Sequence, residues 1–176
     1  TLAGGAGNDS LYGSDGRETM QGGAGADRLY GLGGSDSLLG EDGDDTIAGG
    51  DGADTLDGGS GNDSVEAGGG DDLVAYDPFD PLLDGGDGTD MLILNTPVAV
   101  QLDSANDQVV GGGVARNFEG VDASRLAQGI AIMGSIGRNR VIGSAFAAQI
   151  AGNDGDDILA ISGLDLLEQG ALPEQT

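Results

Sequence analysis

Eight carboxylates recur every nine residues in the first half of the chain: Asp9, Glu18, Asp27, Asp36, Asp45, Asp54, Asp63 and Asp72. Carboxylates in series can share protons, as catalytic pairs do, or share a cation. Every pair here belongs to the same repeating column, so acid–base catalysis explains them poorly. The chain also has no His and no Cys. That removes the commonest general base, the usual nucleophilic triads, disulfides and thiolate or imidazole metal sites. Carboxylate and carbonyl oxygens are hard ligands, which favour calcium over zinc or copper.

Each carboxylate is the sixth residue of a unit, and eight units run without a gap over residues 4–75. The first reads Gly4-Gly5-Ala6-Gly7-Asn8-Asp9-Ser10-Leu11-Tyr12, and the seventh Gly58-Gly59-Ser60-Gly61-Asn62-Asp63-Ser64-Val65-Glu66. Position eight is always apolar: Leu11, Met20, Leu29, Leu38, Ile47, Leu56, Val65 and Val74. A fixed period of this kind marks a repeat architecture. One apolar residue between two others predicts a three-residue strand with its middle side chain inward. The six residues before it must then turn the chain, a task for which glycine's backbone freedom is suited.

One strand and one turn reverse the chain, so two units make one coil. Turns of odd and even units then stack on opposite sides. Asp9, Asp27, Asp45 and Asp63 form one column, and Glu18, Asp36, Asp54 and Asp72 the other. Parallel strands lie about 4.8 Å apart. Two bare carboxylates at that separation repel by about 3.5 kcal/mol at an effective dielectric of 20. The columns therefore call for cations between their members.

On these residues the array resembles the RTX (repeats-in-toxin, haemolysin-type) nonapeptide family. The resemblance implies an all-β chain, a parallel β-roll or β-helix solenoid with calcium ions between stacked turns. It also implies that backbone carbonyls share each ion with the carboxylates. The first and third positions are assigned that part: Gly4, Ala6, Gly22, Ala24, Gly31, Gly33, Gly40, Asp42, Gly49, Asp51, Gly58 and Ser60. A Gly- and Asp-rich disordered linker is the competing reading, but a linker has no reason to place an apolar residue at every eighth position.

The net charge of −25, from 31 acidic residues against 6 arginines, argues against nucleic acid and anionic membrane surfaces as partners. No stretch approaches the length of a membrane-spanning helix. Thr1-Leu2-Ala3 matches positions seven to nine of a preceding unit, so a longer parent array is expected.

Several units depart from the pattern. Unit two has the longer Glu18 where Asp is usual, and unit four has Leu32 at position two; both read as drift, with a distorted or empty site at Glu18. Residues 76–84 keep the nine-residue length and put Leu83 at position eight, but Pro78 and Pro81 rule out the same turn. A decorated turn of the same roll is expected there, rather than a partner-binding protrusion around Phe79. Residues 85–93 return to register, so Asp90 extends the even column. Strict phase is then lost until residues 134–142, 143–151 and 152–160, which carry Val141, Ile150 and Leu159 at position eight. Their sixth positions are Asn139, Ala148 and Asp157, of which only Asn139 and Asp157 can hold an ion. Phe118 reads as a core plug.

The expected organisation is a β-roll over 1–93, wider β-solenoid coils or an insert over 94–133, a second degenerate roll block over 134–160, and a capping tail over 161–176. The expected function is non-enzymatic: a calcium-folded structural module of a large secreted bacterial protein of adhesin, surface-layer or toxin type. The alternative is an accessory module of a secreted protease, lipase or alginate epimerase, whose catalytic domain lies elsewhere. About seven or eight calcium ions are expected. Partners are calcium and the rest of a larger parent, outside the cell or on its surface. An ice-binding solenoid would need a regular Thr ladder, and position three (Ala6, Asp15, Ala24, Gly33, Asp42) shows none.

Overall fold

Short strands alternate between two parallel sheets, as the coil of two units predicts. The computed structural model describes residues 1–97, 99–101, 108–110, 115–126, 131–133, 138–143, 149–151 and 156–161. One sheet begins with Leu2–Ala6, Thr19–Ala24, Ser37–Asp42, Thr55–Ser60, Leu73–Tyr76 and Met91–Leu94, and continues through Gly120–Asp122, Arg140–Gly143 and Ile158–Ile161. The facing sheet stacks Ser10–Ser14, Arg28–Gly33, Thr46–Asp51, Ser64–Gly69, Leu82–Asp87 and Ala115–Arg116. Register follows two units: Met20 lies opposite Leu38 and Leu38 opposite Leu56. A third sheet joins Ala99–Gln101, Ala131–Met133 and Gln149–Ala151 in parallel, with Gln108–Val110 antiparallel at its edge. Ala148 and the tail beyond residue 161 lie outside the described residues.

The core is the row of eighth positions. Leu11, Met20, Leu29, Leu38, Ile47, Leu56, Val65, Val74, Leu83 and Leu92 are all buried between the sheets, and Val121 and Val141 continue the row. Phe118 fills the core as expected, at 1% exposure. Leu159 is 46% exposed, because it lies on the last strand of its sheet, with no strand stacked beyond it among the described residues.

The strands are longer than the three residues the apolar triplet predicts. Thr19–Ala24 spans six residues, from position seven of one unit to position three of the next. The ladder persists because identical units in neighbouring layers bend identically and keep their hydrogen bonds. It is interrupted at one place: in the glycine layers the register skips position one, as between Gly22 and Gly40. Where Tyr76 and Leu94 occupy that position, the pairing is continuous.

In every unit of the array but the second, the bends lie at positions two and four, where φ is positive: Gly23 at 114° and Gly25 at 128°, for example. Leu32 and Glu41 adopt the same conformation at position two, with φ of 77° and 78°. Side chains there cost about 1–2 kcal/mol each. Leu32 is half exposed and has little burial to lose. Leu32→Gly and Glu41→Gly are therefore each expected to raise stability by about 1 kcal/mol, seen as a higher melting temperature in saturating calcium. Unchanged or lower values for both would show that the strain is relieved elsewhere.

Candidate metal centre

Most turns between strands of the array are only three residues, such as Gly25-Ala26-Asp27, whose backbone is pinned to the following layer. Gly25 N–H donates to the Asp42 carbonyl at 2.8 Å, and Thr46 N–H donates to the Asp27 carbonyl at 3.0 Å. This fixes where the position-six side chain leaves the chain. Its Oδ1 then accepts the N–H of the equivalent residue one layer earlier. In the odd column Asp9 N–H reaches Asp27 at 2.7 Å, Asp27 reaches Asp45 at 2.8 Å and Asp45 reaches Asp63 at 2.8 Å. In the even column Glu18 reaches Asp36, Asp36 reaches Asp54, Asp54 reaches Asp72 and Asp72 reaches Asp90, all at 2.7–2.9 Å. The two columns expected from the period are thus continuous ladders of carboxylate and amide.

The second oxygen of these carboxylates is the chemical feature of the site. Oδ2 of Asp9, Asp27, Asp36, Asp45, Asp54, Asp63, Asp72 and Asp90 is buried without a hydrogen-bond partner. A buried, unpaired anionic oxygen is costly. In every case but Asp72, whose unit opens with the buried Ala67, it is aimed at the glycine of position one, where the absent side chain leaves a cradle. A Cβ placed on Gly22 would sit 2.5 Å from Asp27 Oδ2 and 2.7 Å from the Gly40 carbonyl oxygen. On Gly4 the same point is 2.7 Å from Asp9 Oδ2 and 2.6 Å from the Gly22 carbonyl oxygen. Gly31 with Asp36 and the Gly49 carbonyl, and Gly40 with Asp45 and the Gly58 carbonyl, repeat the arrangement. An orphan carboxylate oxygen and a carbonyl oxygen converging in a space kept open by glycine fit a hard cation.

Of the carbonyls assigned from the resemblance, those at position one (Gly22, Gly40, Gly49 and Gly58) therefore stand beside orphan oxygens. Those of Ala24, Asp42, Asp51 and Ser60 accept N–H groups of Gly7, Gly25, Gly34 and Gly43; a carbonyl's second lone pair remains for a ligand. Among the described residues no group of three or more acidic, His or Cys side chains could hold an ion together. Carbonyls and water would therefore complete any shell of the six to eight oxygens that calcium takes.

Burial sets the electrostatics. It raises Asp45 and Asp54, and lifts Asp63 and Asp72 to about 6 and Asp90 to about 7. The amide bonds to Oδ1 oppose the shift, and the neighbouring carboxylates add to it. With metal removed, the folded chain thus binds protons that the unfolded chain does not, between the ordinary carboxylate value of 3.8 and about 7. Its stability is greatest below that window and is lost as pH rises through 6–7. In chelator, β structure is expected to increase on acidification from pH 8 to pH 5. A metal-free chain that folded better at pH 8 would contradict the buried-carboxylate geometry.

Glu18 behaves differently from the aspartates. Its carboxylate turns back on its own unit, accepting Ser14 N–H at 3.0 Å and the Ser14 hydroxyl at 2.8 Å. It is not among the orphans, since the extra methylene lets it cap its own turn. Asn139 and Asp157 are brought together as expected, with Asn139 N–H donating to Asp157 Oδ1 at 3.0 Å. Asp157 is partly exposed and has no orphan oxygen.

Two column members were not anticipated. Glu119 follows Asp90, whose N–H donates to Glu119 Oε2 at 2.9 Å. Its place is set by Arg116 and Asn117, which bind Asp84 on the adjacent strand at 2.6–2.7 Å. The Asn117 carbonyl and Asp90 Oδ2 then line the cradle at Gly85. The signal was present: Glu119-Gly120-Val121 repeats the spacing from acidic position six to apolar position eight, although the glycines before it are gone. Asp80 is the second. It receives Asp63 N–H at 3.0 Å, and its Oδ2 is also orphaned.

The RTX calcium-binding nonapeptide repeat matches the sequence in four copies, at residues 1–29, 12–47, 39–74 and 133–160. Together they span more than half of the chain. No curated protein matches it. The matched segments contain most of the stacked glycine turns and orphan carboxylates, so the chain belongs to the RTX calcium-binding nonapeptide repeat family.

Proposed function

We propose that the chain is a calcium-folded structural module of a large secreted bacterial protein of adhesin, surface-layer or toxin type, working outside the cell or on its surface. The observation that supports this reading is the row of buried Oδ2 atoms, each without a partner and most aimed into a glycine cradle beside a carbonyl oxygen. Ions sit between successive column members: Asp9/Asp27, Asp27/Asp45 and Asp45/Asp63 on one side, and Glu18/Asp36, Asp36/Asp54, Asp54/Asp72 and Asp72/Asp90 on the other. Asn139/Asp157 adds one more. With Glu18 folded onto its own turn, its site is the weakest of the even column. The fold supplies rigidity and the metal supplies the condition under which it forms.

The test is the stoichiometry of calcium bound at saturation, by calorimetry and native mass spectrometry. About seven or eight ions are expected. Two or fewer would sink the stacked-column reading. The parent's flanking sequence decides its class, since a catalytic signature beside this module would make it an enzyme's accessory domain instead.

A further inference from the structure

Asp80 stands where the repeat has broken down. An eighteen-residue step from Asp63 leads to Pro81, which has no side-chain oxygen. The preceding strand, Leu73–Tyr76, stops at four residues instead of six, and a five-residue turn follows before Leu82–Asp87 begins. That turn is tied internally: Phe79 N–H donates to Asp77 Oδ1 at 2.8 Å, and Asp80 N–H to the Asp77 carbonyl at 3.3 Å. The shape brings Asp80 into the column slot one residue early, so that its Oδ1 accepts Asp63 N–H across 17 residues.

We propose that Asp63 and Asp80 form a further calcium site, which closes the odd column in a turn lacking the nonapeptide motif. The proposal rests on the calcium reading of the columns. Asp63 is 0% exposed and Asp80 1%, and Oδ2 of each is buried without a partner. Accepting Asp63 N–H requires one neutral oxygen, which Asn would supply equally well. A second, ionisable oxygen shut away from water is a liability unless a cation meets it. The Tyr76 hydroxyl, also buried without a partner, adds another oxygen at the start of the same turn. A cleft lined by Gly59, Ser60, Gly61, Asn62, Asp77 and Phe79 lies beside the turn.

Asp80→Asn separates a site from a cap, because it keeps the acceptor for Asp63 N–H and removes the charge. Native mass spectrometry in saturating calcium is expected to show one ion fewer than wild type. Glu66→Gln, at an exposed outward-facing position, is expected to bind the wild-type number. An Asp80→Asn chain that binds as many ions as wild type overturns the proposal. Wild-type crystals grown with terbium provide a second measurement that does not depend on the variant folding. An anomalous peak within ligand distance of Asp63 and Asp80 is expected. Peaks at the other column steps with none at this one would overturn the site while leaving the calcium columns standing. Absence of peaks at every step would instead overturn the calcium reading on which it rests.

Discussion

In chelator at pH 8 the chain is expected to lose its β signal in circular dichroism, and calcium at about 10⁻⁴–10⁻³ M to restore it. The reason is a thin core. Each nonapeptide of the array buries one large apolar side chain, at position eight. Ordering a residue costs about 1–2 kcal/mol of backbone entropy. The 37 glycines increase that cost. The fold also buries a row of carboxylate oxygens without partners. Small cores of this kind need a staple. The paired turns exist only when the chain is folded, so ion binding is folding free energy. Magnesium is expected to substitute poorly, since it demands tight octahedral geometry and holds its water. A chelated chain with the full β signal and an unchanged melting temperature would mean that calcium is dispensable to this fold.

The second large effect is a change of sign. Asp45→Asn is expected to destabilise the chain in calcium and stabilise it in chelator. Asp45 faces two layers, accepting Asp27 N–H and donating its own N–H to Asp63. Asn keeps both bonds but removes a buried charge lying between two like charges. In calcium two neighbouring sites weaken, and the calcium midpoint for folding should rise several-fold. In chelator, with an excluded osmolyte added to drive folding, less osmolyte should be needed than for wild type. Repulsion of about 3.5 kcal/mol per bare pair sets the upper scale. Asp45→Ala should be worse than Asn in both conditions, because Asp27 N–H then loses its acceptor at a cost of about 1–3 kcal/mol. Asp157→Ala, at a partly exposed position, should cost at most one ion. Equal ion losses for Asp45→Ala and Asp157→Ala would show that a carboxylate does not serve the layers above and below it.

The nine-residue period was enough to specify the coil, the inward row from Leu11 to Val74 and the membership of both columns through Asp72. These follow from local chemistry: strand alternation sets the inward residue, glycine permits the bends, and identical units must stack in register. Asp90 was legible too, because phase returns after the proline turn. Tertiary structure decided what each oxygen does. That Oδ1 is spent on an amide of the previous layer while Oδ2 remains unpaired over a glycine depends on neighbours eighteen residues away. It also decided that Glu18 folds back onto Ser14, since one methylene changes which donor the carboxylate can reach. Asp80 and Glu119 join the columns out of phase because a turn of different length can still deliver a carboxylate to the same point. Spacing along the chain records the period of the coil, whereas the slot in the column is a position in space.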